Sequence, residues 1–364
     1  MNAINRSQPT LSALSGSDAL AVVSTGLQYL NTVESVNHFK LVPDRLIILD
    51  RGLKDDFECL PDFHLWGNVH KISRPASLRK TPENPSLKLA HRAILDLMTA
   101  FRLRKTLPKT YRPSVVVIGR ASNPWHRHLA SLTTPDQVIV CDDGAASVNN
   151  GQHIGSNIHL GRAFLLTNKI LRRRCTDLRE SNIFTAFAED PHASNVFRNN
   201  YSRTRLCFET RSKEKQLWFI GQPLYQDGFF RADVFSRLMD RIGSIYDGLE
   251  LIYFLHPREK LSRIKLLLDP ERWQLRQINR PMEIAIAESA VWPSQLATFY
   301  SSLAKTIPLI YGGRLPVDVF EPYSDLISCD THRRSAVANV YRSFKQELTP
   351  PHKFITIGAD LTSK

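Results

Sequence analysis

The segment 114–119, Ser-Val-Val-Val-Ile-Gly, constrains the fold of this chain more than any other. A short, continuous apolar run of this kind suits a strand buried on both faces of a parallel sheet. Comparable runs stand at 19–24, 45–50 and 137–141, and helical periodicity lies between them at 27–39, 87–104 and 123–132. In 27–39 the residues Leu27, Leu30, Val33 and Val36 fall on one face. A polar, proline-rich stretch at 73–85 reads as loop. A highly charged stretch at 209–216 (Glu-Thr-Arg-Ser-Lys-Glu-Lys-Gln) reads as linker, and the alternation restarts after it. Strands are expected at 217–220, 249–255 and 306–311, and helices at 231–246, 281–290, 295–304 and 333–346. Two sets of strand and helix predict two α/β domains, and 364 residues are too many for one ordinary core but enough for two. The expected boundaries are a flexible tail at 1–18, a first domain at 19–210 and a second at 211–364.

The net charge of +13 favours polyanions: nucleic acid, anionic lipid, phosphorylated glycans or nucleotide donors. The densest basic clusters, Arg102-Leu103-Arg104-Lys105 and Arg172-Arg173-Arg174, lack the interleaved aromatics of a single-strand nucleic-acid platform, so nucleic acid is not an expected partner. They read either as solvated helix faces or as docking patches for an anionic membrane or glycan. No apolar run is long enough to span a bilayer, and the polar stretch 1–17 does not read as a secretory signal. Five scattered cysteines (Cys59, Cys141, Cys175, Cys207, Cys329) are odd in number and lack zinc-site spacing. They read as buried thiols in a reducing cytoplasm, with loose membrane association allowed by the basic surface.

Taken singly, the polar motifs have ordinary explanations. Asp142-Asp143-Gly144 directly follows a predicted strand, where aspartate and glycine make turns. His256-Pro257 also follows a strand, where proline ends regular structure. Ser301-Ser302 lies near a helix end, where serine caps the backbone. His126 and His128 read as an exposed helix face or as lining of an acceptor cleft, Trp66 and Trp125 as core or rim packing or as a surface for stacking a sugar ring, and Arg258 with Glu259 as a local ion pair. Taken together, Asp142 and Asp143 come from one domain, and His256, Glu283, Ser301 and Ser302 from the other. Glycosyl transfer needs this set: a carboxylate for the acceptor proton, a proton donor for a departing phosphate, and hydroxyls with helix-end amides to hold that phosphate.

In this order the motifs resemble those of bacterial sialyltransferases of GT-B fold, which carry an acidic pair before glycine, then His-Pro, then Ser-Ser or Ser-Thr. Pro281-Met282-Glu283 is similar to the Pro-x-Glu element those families place between the last two. The stretch 253–259 (Tyr-Phe-Leu-His-Pro-Arg-Glu) and the opening Ser24-Thr25-Gly26-Leu27-Gln28 look most like the lipooligosaccharide sialyltransferase family, glycosyltransferase family 52. That family more usually has proline where Gly26 stands. The resemblance spans residues 19–345 as scattered short motifs.

The resemblance implies two Rossmann-like domains facing a central cleft. It implies an inverting transfer of sialic acid from CMP-sialic acid to a hydroxyl of a glycan acceptor, such as lipooligosaccharide, capsule or another cell-surface glycan. Asp142 would be the general base, with adjacent Asp143 raising its pKa or bracing the loop, and Gly144 and Pro257 shaping the two turns. His256 would protonate or hydrogen-bond the leaving phosphate, Ser301 and Ser302 would bind it, and Glu283 would accept from the ribose hydroxyls. Gly221 opens the second domain's first turn, where the backbone either approaches the nucleotide or only turns. No metal and no cofactor is required on this reading, since the CMP-sugar is a co-substrate. The same contacts would serve another CMP-activated acid (Kdo, legionaminic or pseudaminic acid). An inactive GT-B-like binding protein is the reading from a different class. A homodimer is allowed, because dimers occur in the resembled family.

Overall fold

The structure, a computed structural model, describes residues 14–50, 57–73, 84–144, 178, 181–187 and 195–361. Of the tail expected at 1–18, residues 1–13 lie outside them, as does the cluster Arg172-Arg173-Arg174, whereas Leu14 is buried and Asp18 opens the first strand. The chain divides into two compact units: one holds the described residues up to Asp143 and from Leu178 to Asn199, the other Gly144 and those from Asn200 onward.

The first unit carries β1 (Asp18–Val23), β2 (Val42–Asp50), β3 (Asn68–Ser73), β4 (Val115–Ile118), β5 (Gln137–Cys141), β6 (Asn182–Thr185) and β7 (Val196–Arg198). All pairings are parallel, in the order β3-β2-β1-β4-β5-β6-β7. Its long helices are α1 (Gly26–His38), α2 (Pro85–Thr106) and α3 (Pro124–Thr133). One face of the sheet presents Leu20, Val22, Ile47, Leu49, Val116, Ile118, Val138 and Val140 to Leu103 of α2 and Leu129 of α3. The two-residue period of these positions is that of a pleated strand, and α1 packs on the opposite face against β1, β4 and β5. Coverage on both faces explains why Val115 to Ile118 is apolar at every position. The helix starts follow from local chemistry: Asn84 and Asn123 cap α2 and α3, each with proline in the first turn.

The second unit carries β8 (Lys213–Ile220), β9 (Glu250–Leu255), β10 (Trp273–Gln277), β11 (Trp292–Thr298), β12 (Val317–Pro322) and β13 (Lys353–Ile357). They are parallel in the order β10-β9-β8-β11-β12-β13. The helices α4 (Ala232–Ile245), α5 (Met282–Glu288), α6 (Leu303–Tyr311) and α7 (Thr331–Glu347) connect or flank them. Helix α4 buries Val234, Phe235, Leu238, Met239 and Ile242 at helical spacing against Leu217, Phe219, Leu251 and Tyr253. Each such side chain contributes roughly 1.5–3 kcal/mol when fully buried.

Counted from its own first strand, each sheet begins 3-2-1-4-5-6, which is the Rossmann order. The chain is therefore an α/β protein with the domain content of GT-B, two Rossmann-like units in series. In such sheets ligands bind beyond the carboxyl ends of the strands where the order reverses, here beside β1 and β4 and beside β8 and β11.

Three expectations are corrected. The charged stretch at 209–216 is not all linker: from Lys213 it is the beginning of β8, exposed through Lys215 and buried at Gln216. Residues 295–304 are not one helix: 295–298 belong to β11, held between β8 and β12, and only 303 and 304 are helical, at the start of α6. Residues 306–311 are not strand but lie in α6, with Pro308 inside the helix. No helix among the described residues is long and apolar enough to cross a membrane. Cys141 and Cys329 are buried as expected, whereas Cys59 and Cys207 are exposed and Cys175 lies outside the described residues.

Candidate active site

At the carboxyl edge of the first sheet, Asp142 follows β5 and is 3% exposed. One carboxylate oxygen accepts the Thr185 hydroxyl at 2.6 Å and the other accepts the Ala186 amide at 2.6 Å. The Asp142 carboxylate thus holds the loop that leaves β6. Asp143, half-buried, accepts from the Gln28 amide and forms an ion pair with Arg120 at 2.9 Å. Gly144 turns the chain at φ 79°, the left-handed conformation that favours glycine.

Several participants at this edge escape sequence reasoning. Gln28 is fully buried, and its carbonyl oxygen accepts the Ser24 amide at 2.8 Å. The Ser24 hydroxyl lies 3.0 Å from His126 Nε2. Asn31 donates to the Asp142 carbonyl at 3.2 Å and accepts from Asn199 at 3.2 Å. A Cβ on Gly119 would sit 2.8 Å from the Gln28 Cβ, so glycine at the end of β4 is what admits Gln28. His126 and His128, expected on an exposed face, are both buried, because α3 turns them inward. Trp66 is buried as core, and Trp125 donates its indole N–H to Asp96 at 3.1 Å.

At the carboxyl edge of the second sheet, His256-Pro257-Arg258-Glu259 is a tight turn closed by the Glu259 amide on the His256 carbonyl at 2.8 Å. Pro257 at its second position presets the backbone angle such a turn requires. Glu259 is buried and accepts the His256 amide at 2.7 Å and the Tyr253 hydroxyl at 2.9 Å. Burial pushes its carboxyl up to about 7. Arg258 does not pair with Glu259 as expected: its guanidinium reaches Asp227 at 3.1 Å, while Glu259 is taken by Tyr253 and the turn. Gly221, at the end of β8, donates to the Phe254 carbonyl at 2.8 Å. A Cβ there would meet Glu259 at 2.5 Å and Tyr253 at 2.6 Å, so its backbone is packed by protein side chains.

His256 Nδ1 accepts the Arg258 amide at 3.0 Å. That bond requires an unprotonated Nδ1 and leaves the proton on Nε2. Burial, helped by the Arg258 charge, lowers the imidazole to about 4, so at neutral pH His256 is a neutral N–H donor.

Ser301 and Ser302 precede α6 directly after β11. The Ser301 hydroxyl accepts the Leu303 amide at 3.3 Å, while the Ser302 side chain makes no capping bond. Gln222, just past β8, ties this loop by accepting the Tyr300 amide at 2.6 Å and donating to the Tyr300 carbonyl. The ends of β9, β8 and β11 are in register through Phe254, Ile220 and Thr298. His256 thus follows the strand on one side of β8, and the loop into α6 follows the strand on its other side, the two strands lying about 10 Å apart. Glu283 stands apart in the first turn of α5, buried, with a carboxylate oxygen accepting the Thr306 hydroxyl of α6 at 2.6 Å. Burial raises its carboxyl above the usual range.

The structure thus gathers Gly221, His256, Pro257, Ser301 and Ser302 at one sheet edge and reaches Glu283 through Thr306. It gathers Asp142, Asp143 and Gly144 at the corresponding edge of the first sheet. Among the described residues no three His, Cys, Asp or Glu side chains come together as a metal site.

No protein-family profile matches the chain, and no curated protein matches it. Solved structures do resemble it in path. Arabidopsis thaliana UGT89C1 complexed with UDP is 10% identical, with 95% of this chain and 89% of that chain covered and a TM-score of 0.46. The Methanocaldococcus jannaschii UDP-GlcNAc 2-epimerase, complexed with UDP-GlcNAc and UDP, is 13% identical, with 93% and 89% covered and a TM-score of 0.47. Acinetobacter baumannii MurG is 10% identical, with 95% and 88% covered and a TM-score of 0.40. What those proteins bind is theirs; the fold of this chain stands on its own two strand orders.

Proposed function

We propose that the chain is an inverting glycosyltransferase that takes a CMP-activated sialic acid and passes the sugar to a glycan hydroxyl. The observation that carries the reading is the donor-rich edge of the second sheet. A neutral histidine with its proton on Nε2 follows β9, and two serines that lead into α6 follow β11, with β8 between the two strands. The Leu303, Ala304 and Lys305 amides are taken by Ser301 and Ser302, so a phosphate at this edge would be met by the His256 Nε2–H, the serine hydroxyls and the positive end of the α6 dipole. His256 would donate to a phosphate oxygen as the sugar departs, and Ser301 and Ser302 would hold the others. A bound phosphate would in turn raise the His256 pKa, so donor binding would be accompanied by proton uptake.

The acceptor proton would go to the Asp142–Asp143 pair. On the family resemblance Asp142 is the base. One observation favours a second assignment: both Asp142 oxygens hold the β6 loop, while Asp143 is the less buried of the two. Under that assignment Asp143 takes the proton and Asp142 keeps the loop in place. Glu283 would meet the ribose once its bond to Thr306 rearranges. The contacts are those of the cytidine and the phosphate, so another CMP-activated acid is the neighbouring reading.

The experiment is CMP release from CMP-N-acetylneuraminic acid with a lactose-terminated acceptor, in EDTA, for wild type and His256→Ala. Acceptor-dependent release that survives EDTA and collapses in the variant supports the proposal. Binding of CMP without turnover directs the search to another CMP-sugar, and absence of both removes the transferase reading.

A further inference from the structure

Helix α2 packs inward through Asp96, Ala100 and Leu103, spaced four and three apart on one face. Its opposite side carries Leu87, Ile94 and Phe101, which are 58%, 47% and 71% exposed. They are seven residues apart, so they stack in one line along the helix with only a slight drift. Phe101 lies two residues before buried Leu103, about 200° around the axis. Exposed Lys88, Arg104 and Lys105 accompany the stripe. The single acid of the helix, Asp96, is turned inward, where it accepts the Trp125 indole N–H. A helix already anchored to its own sheet thus presents an outward apolar line, basic neighbours and no acid.

We infer that this face of α2 lies on an anionic lipid surface, with Leu87, Ile94 and Phe101 entering the headgroup boundary and the basic residues meeting lipid phosphates. The charge selects this occupant. A second copy docked through the same face would bring two basic stripes together, whereas an anionic bilayer complements both the stripe and the net charge of +13. Docking would hold the protein near membrane-borne acceptors, a role outside the donor chemistry proposed above and independent of it.

The test is flotation of the full chain with vesicles of phosphatidylcholine alone or mixed with phosphatidylglycerol, with light scattering for oligomeric state. The wild type should float only with the anionic vesicles. Ile94→Ser with Phe101→Ser should lose that binding, and Lys88→Glu with Lys105→Glu should weaken it by at least about tenfold. Both pairs of substitutions are on the surface, so their melting temperatures should match the wild type. Absent binding, equal binding to both vesicle types, or binding that survives both pairs overturns the inference. So does a dimer that the Ile94 and Phe101 changes dissolve while vesicle binding is unchanged.

Discussion

The two sheets end in similar places but with different chemistry. Beyond the first sheet the polar groups bind one another: His126, Ser24, Gln28, Asp143 and Arg120 form a chain of hydrogen bonds ending in one ion pair, and Asp142 separately holds Thr185 and Ala186. Beyond the second sheet the side chains brace a turn and a helix start whose first amides are already taken by Ser301 and Ser302, and among the described residues the His256 Nε2–H and the Ser302 hydroxyl are left for something else. A network that satisfies itself is rigid and holds a carboxylate in one orientation. An edge with unspent donors is suited to an anion. Both edges use a glycine for close packing, Gly119 to admit Gln28 and Gly221 to admit Glu259 and Tyr253. The comparison teaches that two Rossmann edges can be finished differently, one with carboxylates held by hydrogen bonds and an ion pair and the other with a braced turn and a helix start, without any shared motif.

The largest effects should come from the aspartates. Asp142→Asn is isosteric and can keep both loop contacts, so loss of turnover by about 10²–10⁴ with unchanged melting would make Asp142 the base. The same loss in Asp143→Asn alone would give that role to Asp143. Next comes Glu259. Its folded pKa of about 7 exceeds the ordinary 4.5, so between those values the folded chain keeps a proton that the unfolded chain has released. Stability from this group is therefore greatest at low pH and is lost as pH rises through 7. Glu259→Gln should match wild type near pH 4.5 and exceed it at pH 8 by at most about 3 kcal/mol, read by urea unfolding at both values. A constant difference would show that Glu259 is not held as described.

The glycines sharpen the contrast further. Gly221→Ala should destabilise by about 1–3 kcal/mol because the new methyl meets Glu259 and Tyr253, and it should disturb the His256 turn with them. Gly119→Ala should cost a similar amount, read by thermal melting, yet leave CMP binding alone. The smallest effect is expected from Arg120→Gln. The ion pair with Asp143 is partly solvated, so its loss should change stability by about 1 kcal/mol or less.

Much of the architecture was legible because buried parallel strands write continuous apolar runs, as at Val115–Ile118 and Gln137–Cys141. The failures have physical causes. Gln295, Leu296 and Ala297 are good helix formers, but pairing on both sides with β8 and β12 outweighs their propensity. Thr306, Ile307 and Pro308 look unlike a helix, yet packing of Ile307 and Ile310 keeps α6 helical. The polar motifs beyond β5 and β9 could be placed from sequence because they directly follow recognisable strands. The network around them could not. Gln28, Asn31 and His126 sit on helices whose polar residues look solvated until the elements that bury them are known.

The central claim, that the second edge holds the donor phosphate, is tested most directly by calorimetric titration of CMP into wild type, His256→Ala, Ser301→Ala with Ser302→Ala, and Asp142→Asn. The account predicts binding that weakens at least about tenfold in the histidine and serine variants, consistent with loss of charge-assisted hydrogen bonds to phosphate, and is unchanged in Asp142→Asn. CMP binding indifferent to His256 and to both serines would contradict it.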